Sequence, residues 1–358
     1  MPRLLIAASG TGGHIFPAVK IAEELTESWD ISWLGVPDRL ETEIVPKKYN
    51  LTTIQVSGLK NDFIRKLFYA SRLFFSTFKV IRLLKRKRIN IVFTTGGYIA
   101  APVILASKIC GIKIVLHESN VFPGKVTRLL GRFCDEVALG FPPANHHLRN
   151  CCTTVTGTPV RSSFLLNNPL PMWVPKGIEP LIVVMGGSQG AVGLNHMVRK
   201  IIPWLLKYGC RIVHIIGRND KPSIIEDSKF VERHFIDDIA GLIQNADLVI
   251  SRAGAGAIIE FAVCNTPAIL IPFPFAADRH QDFNAAYAAK YGAALIIHQS
   301  ESGVAVLKRT IKRLIDSYSF ASQNQSDDLL AKMRKGMDQI AVRDAHLLLV
   351  DILNKYTQ

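Results

Sequence analysis

Short apolar runs alternate with stretches of helical period along most of this chain. Runs at residues 4–8, 31–34, 91–94, 114–116 and 136–139, then at 181–185, 212–216, 248–250, 268–271 and 294–297, predict β-strands. Several are apolar at every position, which is how parallel strands covered on both faces read. Strands alternating with helices predict an α/β protein with parallel sheets joined by right-handed crossovers. The series starts twice. "LLIAASGTGGH" (4–14) and "LIVVMGGSQG" (181–190) are each an apolar strand, a glycine loop and a helix start. Between them "NNPLPMWVPKGIEP" (167–180) has no periodicity and reads as linker. The expected organisation is two Rossmann-like domains, 1–162 and 163–337, with a cleft between them. A last helical stretch, 338–358, packs back on one of the two, the N-terminal domain being the expected one.

Composition narrows the class. The 358 residues exceed one ordinary core, and 48% hydrophobic with 20% charged residues excludes a largely disordered chain. Six cysteines include no C-x-x-C pair, and Cys151 and Cys152 are adjacent, which suits neither a disulfide framework nor a zinc site. They read as buried thiols of a reducing compartment. The apolar start is a first strand and not a signal peptide. The charge-free stretch 89–107 is interrupted by Asn90, Gly96, Gly97 and Pro102, so no membrane span is expected. The net charge of +14 is uneven: residues 63–117 contain eleven Lys and Arg and no acidic residue. That asymmetry points to an anionic partner, lipid or nucleic acid.

The glycine loops carry the candidate chemistry. A dinucleotide fingerprint fails at Ile15, where a third glycine belongs, and Gly35 and Val36 stand where an acidic residue would hold a ribose. Neither loop contains G-K-[ST]. A nicotinamide dehydrogenase and a nucleoside triphosphatase are therefore disfavoured. What remains is backbone amides at helix N-termini, suited to anions or sugar hydroxyls. "TTGGY" (94–98) and "SRAGAGAIIE" (251–260) add two more loops, the second followed by Glu260, which suits a ribose diol or a solvated first helical turn. No D-x-D pair is present to chelate a divalent ion, and His117, His146, His147, His214 and His234 have no metal-ligand spacing.

Ten motifs in order, "GTGGHIFPA", "WLGVPDRLE", "VSGL", "TTGGYIAAP", "LHESN", "GTPVR", "GGSQGA", "FIDD", "SRAGA" with Glu260, and "DRHQDFNA", resemble the MurG family. The resemblance covers residues 4 to about 297. It implies the GT-B fold, two Rossmann-like domains facing each other across the active cleft. It also implies an inverting transfer of GlcNAc from UDP-GlcNAc to the 4-hydroxyl of the MurNAc of lipid I, giving lipid II. By position it implies that Thr11, Gly12 and Gly13 contact substrate and that Asn120 lies near the donor sugar. Arg161 and Ser188 would hold the diphosphate, and the Ile236 backbone would read the uracil. Ala255, Gly256, Ala257, Ile258 and Ile259 would line the phosphates, Glu260 would bind the ribose and Gln281 the GlcNAc hydroxyls. No cofactor or metal is implied. The location implied is the cytoplasmic face of the bacterial plasma membrane, peripherally, with cell-wall synthesis or division proteins as partners. Ser119 and the "AGAGAII" loop depart from the family pattern, which touches only the detailed phosphate contacts. A GT-B transferase with another lipid acceptor, a UDP-GlcNAc epimerase and a catalytically silent membrane-binding protein are the rival readings.

Inversion needs the acceptor hydroxyl to lose its proton as it attacks. His14, at the tip of the first loop, is the candidate general base, the alternative being that it only positions substrate or caps the loop. The stretch 63–88 reads as a helix with Phe63, Leu67, Ala70, Phe74, Phe78 and Ile81 on a core face. Arg65, Arg72, Lys79 and Arg86 recur on the opposite side, with Phe68, Phe75 and Leu83 on or beside that stripe. Basic residues interleaved with exposed apolar ones suit an anionic membrane surface. No nucleic-acid module is recognisable.

Overall fold

The computed structural model describes residues 1–37, 41–56, 63–187, 190–320 and 328–357, with backbone only for 63–69 and 319–320. The chain divides into two compact units, one formed by Met1–Arg161 with Val342–Gln358 and the other by Ser162–Ala341.

Among the described residues, the first unit contains a seven-stranded sheet: β1 (Arg3–Ala7), β2 (Asp30–Gly35), β3 (Asn50–Thr53), β4 (Ile91–Thr94), β5 (Lys113–Glu118), β6 (Glu136–Leu139) and β7 (Thr153–Val155). Their order is β3-β2-β1-β4-β5-β6-β7, and every pairing is parallel. The central strand β1 pairs on both sides, Leu4 standing beside Ile31 and Ile91. Leu4, Leu5, Ile6 and Ala7 are all fully buried, as their unbroken apolar run requires.

The second unit holds β8 (Leu181–Met185), β9 (Arg211–Ile215), β10 (Phe230–Arg233), β11 (Leu248–Ser251), β12 (Ala268–Leu270) and β13 (Ala294–Ile296). Their order is β10-β9-β8-β11-β12-β13, again all parallel. In both sheets the chain reverses direction beside the first strand. The loops after β1 and β4, and those after β8 and β11, therefore flank a topological switch point, where open α/β sheets bind ligands.

Three strands, β3, β7 and β10, are not visible as apolar runs in the sequence. All three lie at sheet edges and carry Asn, Thr, Glu or Arg at half-exposed positions. An edge strand needs only one neighbour and one covered face, so its hydrophobic signal is weak.

The stretch expected as one helix over 338–358 is broken. Helix Leu329–Ile340 ends at Ala341, whose ψ of 127° is extended, and helix Ala345–Lys355 begins afresh. The second helix lays Leu349, Ile352 and Leu353 into the core that Ile15, Ile21 and Trp33 share. Its end is pinned by Tyr356, whose hydroxyl donates to Glu136 Oε2 at 2.9 Å, and by Lys355, 3.2 Å from the same oxygen.

Candidate functional site

In the first unit the glycine loop opens helix Gly12–Leu25, with Thr11 as its N-cap. The amides of His14 and Ile15 both donate to Thr11 O, at 3.0 and 3.2 Å. Gly12 and Gly13, ahead of them, have no intrahelical acceptor, and such end amides are the groups that bind anions or hydroxyls. Behind the loop, the fully buried Glu41 accepts from the Gly10 amide at 3.3 Å and the Val36 amide at 2.7 Å. One carboxylate thus ties the loops after β1 and β2 together.

The half-buried His14 ring places Nδ1 2.6 Å from the carbonyl oxygen of Thr95 at the end of β4. A carbonyl only accepts, so Nδ1 carries the proton and Nε2 of the neutral ring is the basic nitrogen. The turn that aims this carbonyl passes through Gly96 and Gly97, at φ 84° and 72°, a backbone only glycine adopts without strain. A Cβ on Gly97 would stand 3.9 Å from His14 Nε2. His117 sits nearby, fully buried. Desolvation pushes it down to about 3 against a weaker upward pull from the Ala138 backbone, so it stays neutral and puts no charge beside His14.

A second carboxylate organises the loop after β5. Glu118 Oε1 accepts from the Asn120 amide at 3.0 Å and from its side-chain Nδ2 at 3.1 Å. Its Oε2 accepts from the Gly124 amide at 2.9 Å and Thr127 Oγ1 at 2.7 Å. Asn120 is thereby oriented by a group that the motif carried but that sequence reasoning left without a role. Arg161 lies over the ring of Phe16 at 4.3 Å, which brings it to the same helix as the glycine loop.

In the second unit, the loop after β8 is shaped by close approach. A Cβ on Gly190 would meet Ile216 O at 2.8 Å, and one on Gly186 would meet Ala191 N at 2.6 Å. Asn195, fully buried, holds the facing loop by donating to Ile216 O at 2.9 Å and Asp220 at 2.7 Å. Ser188, expected on the diphosphate, lies outside the described residues.

Helix Ala255–Val263 follows β11 and begins at Gly254, around which a Cβ would find open space. The Ile258 amide is spent on Gly254 O at 3.1 Å, and the Ile258 and Ile259 side chains are buried. Of residues 255–259, expected along the phosphates, Ala255, Gly256 and Ala257 precede the helical ladder. Glu260 is half-buried further along the helix. The loop is fixed by Arg252, a buried cation absent from the expected site. It donates to Ile271 O at 3.1 Å, Pro272 O at 3.3 Å and Gln299 Oε1 at 2.6 Å. Burial pulls its guanidinium down to about 10. Its signal was the cation directly before a glycine run. Asn284 also fixes this loop, donating to Ala253 O at 3.2 Å.

Gln281 follows Asp278 and Arg279, two consecutive non-glycine residues at φ 50° and 54°. Such strain persists only where the surroundings impose it. The Phe273 amide donates to Gln281 Oε1 at 2.9 Å, which turns the side-chain NH₂ into the role of donor. Ile236 has a buried side chain, and among the described residues its backbone groups make no hydrogen bond.

On helix Phe63–Lys87 the core face expected from periodicity holds at Ile81, half-buried against the core, and fails at Ala70, Phe74 and Phe78, while the side chains of Phe63 and Leu67 lie outside the described ones. Phe74, Phe75 and Phe78 are 69, 63 and 46% exposed, and Ala70 is exposed as well. The core face is instead Ser76, Thr77, Val80, Leu83 and Leu84. Leu83, expected among the membrane contacts, is 6% exposed and packs in the core with Val80 and Val92. The two hydroxyls disguised this stripe: Ser76 satisfies itself on Gln55 O at 3.0 Å and Thr77 on Leu73 O at 2.7 Å, so both are buried at low cost. Arg72, Lys79 and Arg86 are exposed, while the side chains of Arg65 and Phe68 lie outside the described ones. Among the described residues no helix is long and apolar enough to cross a membrane, and no cluster of His, Cys, Asp and Glu could hold a metal ion.

Residues 4–139 match the glycosyltransferase family 28 N-terminal domain and residues 181–340 the glycosyltransferase family 28 C-terminal domain. A Prochlorococcus marinus protein is 63% identical over 99% of this chain and 100% of its own length. A Synechococcus protein is 55% identical over 99% of both. Both are named UDP-N-acetylglucosamine--N-acetylmuramyl-(pentapeptide) pyrophosphoryl-undecaprenol N-acetylglucosamine transferase. The crystal structure of Acinetobacter baumannii MurG superposes with a TM-score of 0.74 at 27% identity, covering 99% of this chain and all of that one. The calicheamicin glycosyltransferase CalG4, at 13% identity and a TM-score of 0.70 over 99% of this chain and 98% of its own, shares the fold.

Proposed function

The chain belongs to glycosyltransferase family 28, with the MurG enzymes, and from that membership we infer that it moves N-acetylglucosamine from UDP-GlcNAc to the MurNAc of lipid I, forming lipid II. The observation that carries the chemical reading is the contact between His14 Nδ1 and Thr95 O, which leaves Nε2 as a base on the acceptor unit. Release of UDP on adding a lipid I analogue, with a disaccharide product, tests the assignment. UDP release without disaccharide would leave the chain a hydrolase.

The reaction inverts the anomeric centre in one displacement. The acceptor O4 attacks the anomeric carbon as that carbon's bond to the UDP oxygen breaks, and His14 Nε2 takes the proton from O4. Gly12 and Gly13 offer amides, and Thr11 a hydroxyl, to the acceptor. On the donor unit the amides of Ala255, Gly256 and Ala257, at the positive end of a helix, stabilise the departing diphosphate. The Arg161 guanidinium and the Ser188 hydroxyl donate to the same diphosphate. Glu260 accepts from the ribose hydroxyls, the Ile236 backbone reads the uracil and Gln281 donates to GlcNAc, while Asn120 serves the same sugar. Fixed amides and a guanidinium do the electrostatic work here without metal.

Lipid I carries a polyprenyl chain that stays in the bilayer, so the enzyme docks peripherally on the cytoplasmic face of the plasma membrane. The exposed aromatics Phe74, Phe75 and Phe78, beside Arg72, Lys79 and Arg86, support that reading. The aromatics enter the headgroup layer and the cations pair with anionic lipid.

A further inference from the structure

The glycine loops of the two units are alike in build and opposite in buried charge. In the first unit the loop after β1 opens helix Gly12–Leu25, and behind it lies the fully buried Glu41. Each Glu41 oxygen accepts one amide, Oε1 from Val36 and Oε2 from Gly10, which is how an ionised carboxylate is satisfied. Gly35 makes room for it: a Cβ there would stand 2.8 Å from Glu41 Cγ. Among the described residues no cation pairs with this carboxylate. In the second unit the loop after β11 opens helix Ala255–Val263 and is held by the buried Arg252, whose partners are neutral carbonyl oxygens. Among the described residues no carboxylate pairs with that cation.

A helix start carries about half a positive charge. In the first unit a full negative charge at roughly twice the distance cancels that pull on an anion. In the second a full positive charge adds to it. The first loop keeps directional donors, the Gly12 and Gly13 amides, without a net attraction for negative charge. Such donors suit a neutral oxygen. Arg161 lies one turn further along, over Phe16, and is taken up by the donor diphosphate in the reading above.

The base indicates which oxygen. His14 follows Gly12 and Gly13 in the same turn, so an oxygen on their amides lies near the hydroxyl from which Nε2 takes the proton. On the MurNAc of lipid I that hydroxyl is O4, and the diphosphate hangs from C1, across the pyranose ring. The oxygens beside O4 belong to the 6-hydroxyl and the lactyl carbonyl, and both are neutral.

We propose that Glu41 is a specificity-determining residue of the acceptor site: its buried charge keeps diphosphate off the first loop and reserves the Gly12 and Gly13 amides for a neutral oxygen beside O4. Which oxygen that is rests on the lipid I reading; the sorting of charge stands on the two loops alone.

Calorimetric titration with inorganic pyrophosphate tests the sorting without any acceptor. The wild-type chain should bind at most one equivalent, displaced by UDP. Glu41→Gln should bind one equivalent more, which UDP does not displace. A UDP-resistant equivalent on the wild type, or none gained by a Glu41→Gln variant of unchanged melting temperature, would overturn the role of Glu41. Where that variant fails to fold, inhibition of the wild type decides. With UDP-GlcNAc saturating, pyrophosphate should not compete with a soluble lipid I analogue, and competition would overturn the sorting. Acceptor analogues then locate the oxygen. Removing the 6-hydroxyl or the lactyl group, one at a time, should lower kcat/KM at least ten-fold in one of the two cases. Full activity with both analogues would overturn the neutral-oxygen contact. A chain that sorts pyrophosphate as expected but forms no disaccharide would keep the role of Glu41 and sink the lipid I reading.

Discussion

The imidazole of His14 is held by the carbonyl oxygen of Thr95, 2.6 Å from Nδ1, and this one contact decides which nitrogen is left without the proton. His14 stands in the first turn of the helix after β1 and Thr95 in the loop after the adjacent strand β4, so the ring's orientation is set by sheet topology and not by local sequence. His14→Asn keeps a donor for Thr95 but has no basic nitrogen. We expect kcat to fall by ~10²–10⁴-fold with little change in donor KM, as for a lost proton acceptor. Steady-state rates with a lipid I analogue check this, and a near-normal kcat would reduce His14 to a positioning role.

On the proposed role of Glu260 at the ribose, Glu260→Gln should weaken UDP itself, since substrate and product share that ribose. Loss of a charged hydrogen bond costs ~1.5–3 kcal/mol. Calorimetry of UDP binding reads this directly, and unchanged affinity would remove Glu260 from the ribose.

Activity should survive EDTA. In the proposed mechanism fixed amides and Arg161 stabilise the leaving diphosphate, and chelation touches neither. Loss on chelation with recovery on adding magnesium would overturn that account.

The two faces of helix Phe63–Lys87 should respond oppositely. Phe74→Ser, Phe75→Ser and Phe78→Ser together should release the protein from anionic vesicles while leaving thermal stability and turnover of a soluble acceptor intact. Leu83→Ala should destabilise the first unit by ~2–5 kcal/mol, as for any buried leucine. Melting curves and vesicle flotation separate the two, and a destabilised triple serine variant would return those phenylalanines to the core.

Buried, neutral His117 makes the first unit acid-sensitive. Its folded value is about 3 and its unfolded value 6.5. The unfolded state therefore takes up the proton first as pH falls. Stability is full above the unfolded value and declines from there toward pH 3, by up to about 1.4 kcal/mol per pH unit. Denaturant midpoints at pH 7, 6 and 5 should fall accordingly, and His117→Gln should flatten the slope. An equal slope in the variant would assign the titration elsewhere.

The sequence announces what is continuous and hides what is pairwise. Interior strands such as Leu181–Met185 are read directly, because burial on both faces demands an apolar run. The edge strands Asn50–Thr53 and Thr153–Val155 escape, since their residues answer to solvent as much as to the sheet. Helix Phe63–Lys87 has two apolar stripes, and periodicity cannot choose between them when Ser76 and Thr77 lie on the buried one. His14 and the glycine loops stand out by composition. Glu41, Glu118 and Arg252 do not, because their work is to join segments from distant parts of the chain.

The return of Val342–Gln358 to the first unit bears on how the chain is made. Leu349, Ile352 and Leu353 complete a core whose other members, Leu4 to Ala138, are all synthesised before the second unit. During translation the second unit has all its residues before the first does. The nascent first unit therefore keeps an apolar gap beside helix Gly12–Leu25, open to aggregation, until Val342–Gln358 has been made.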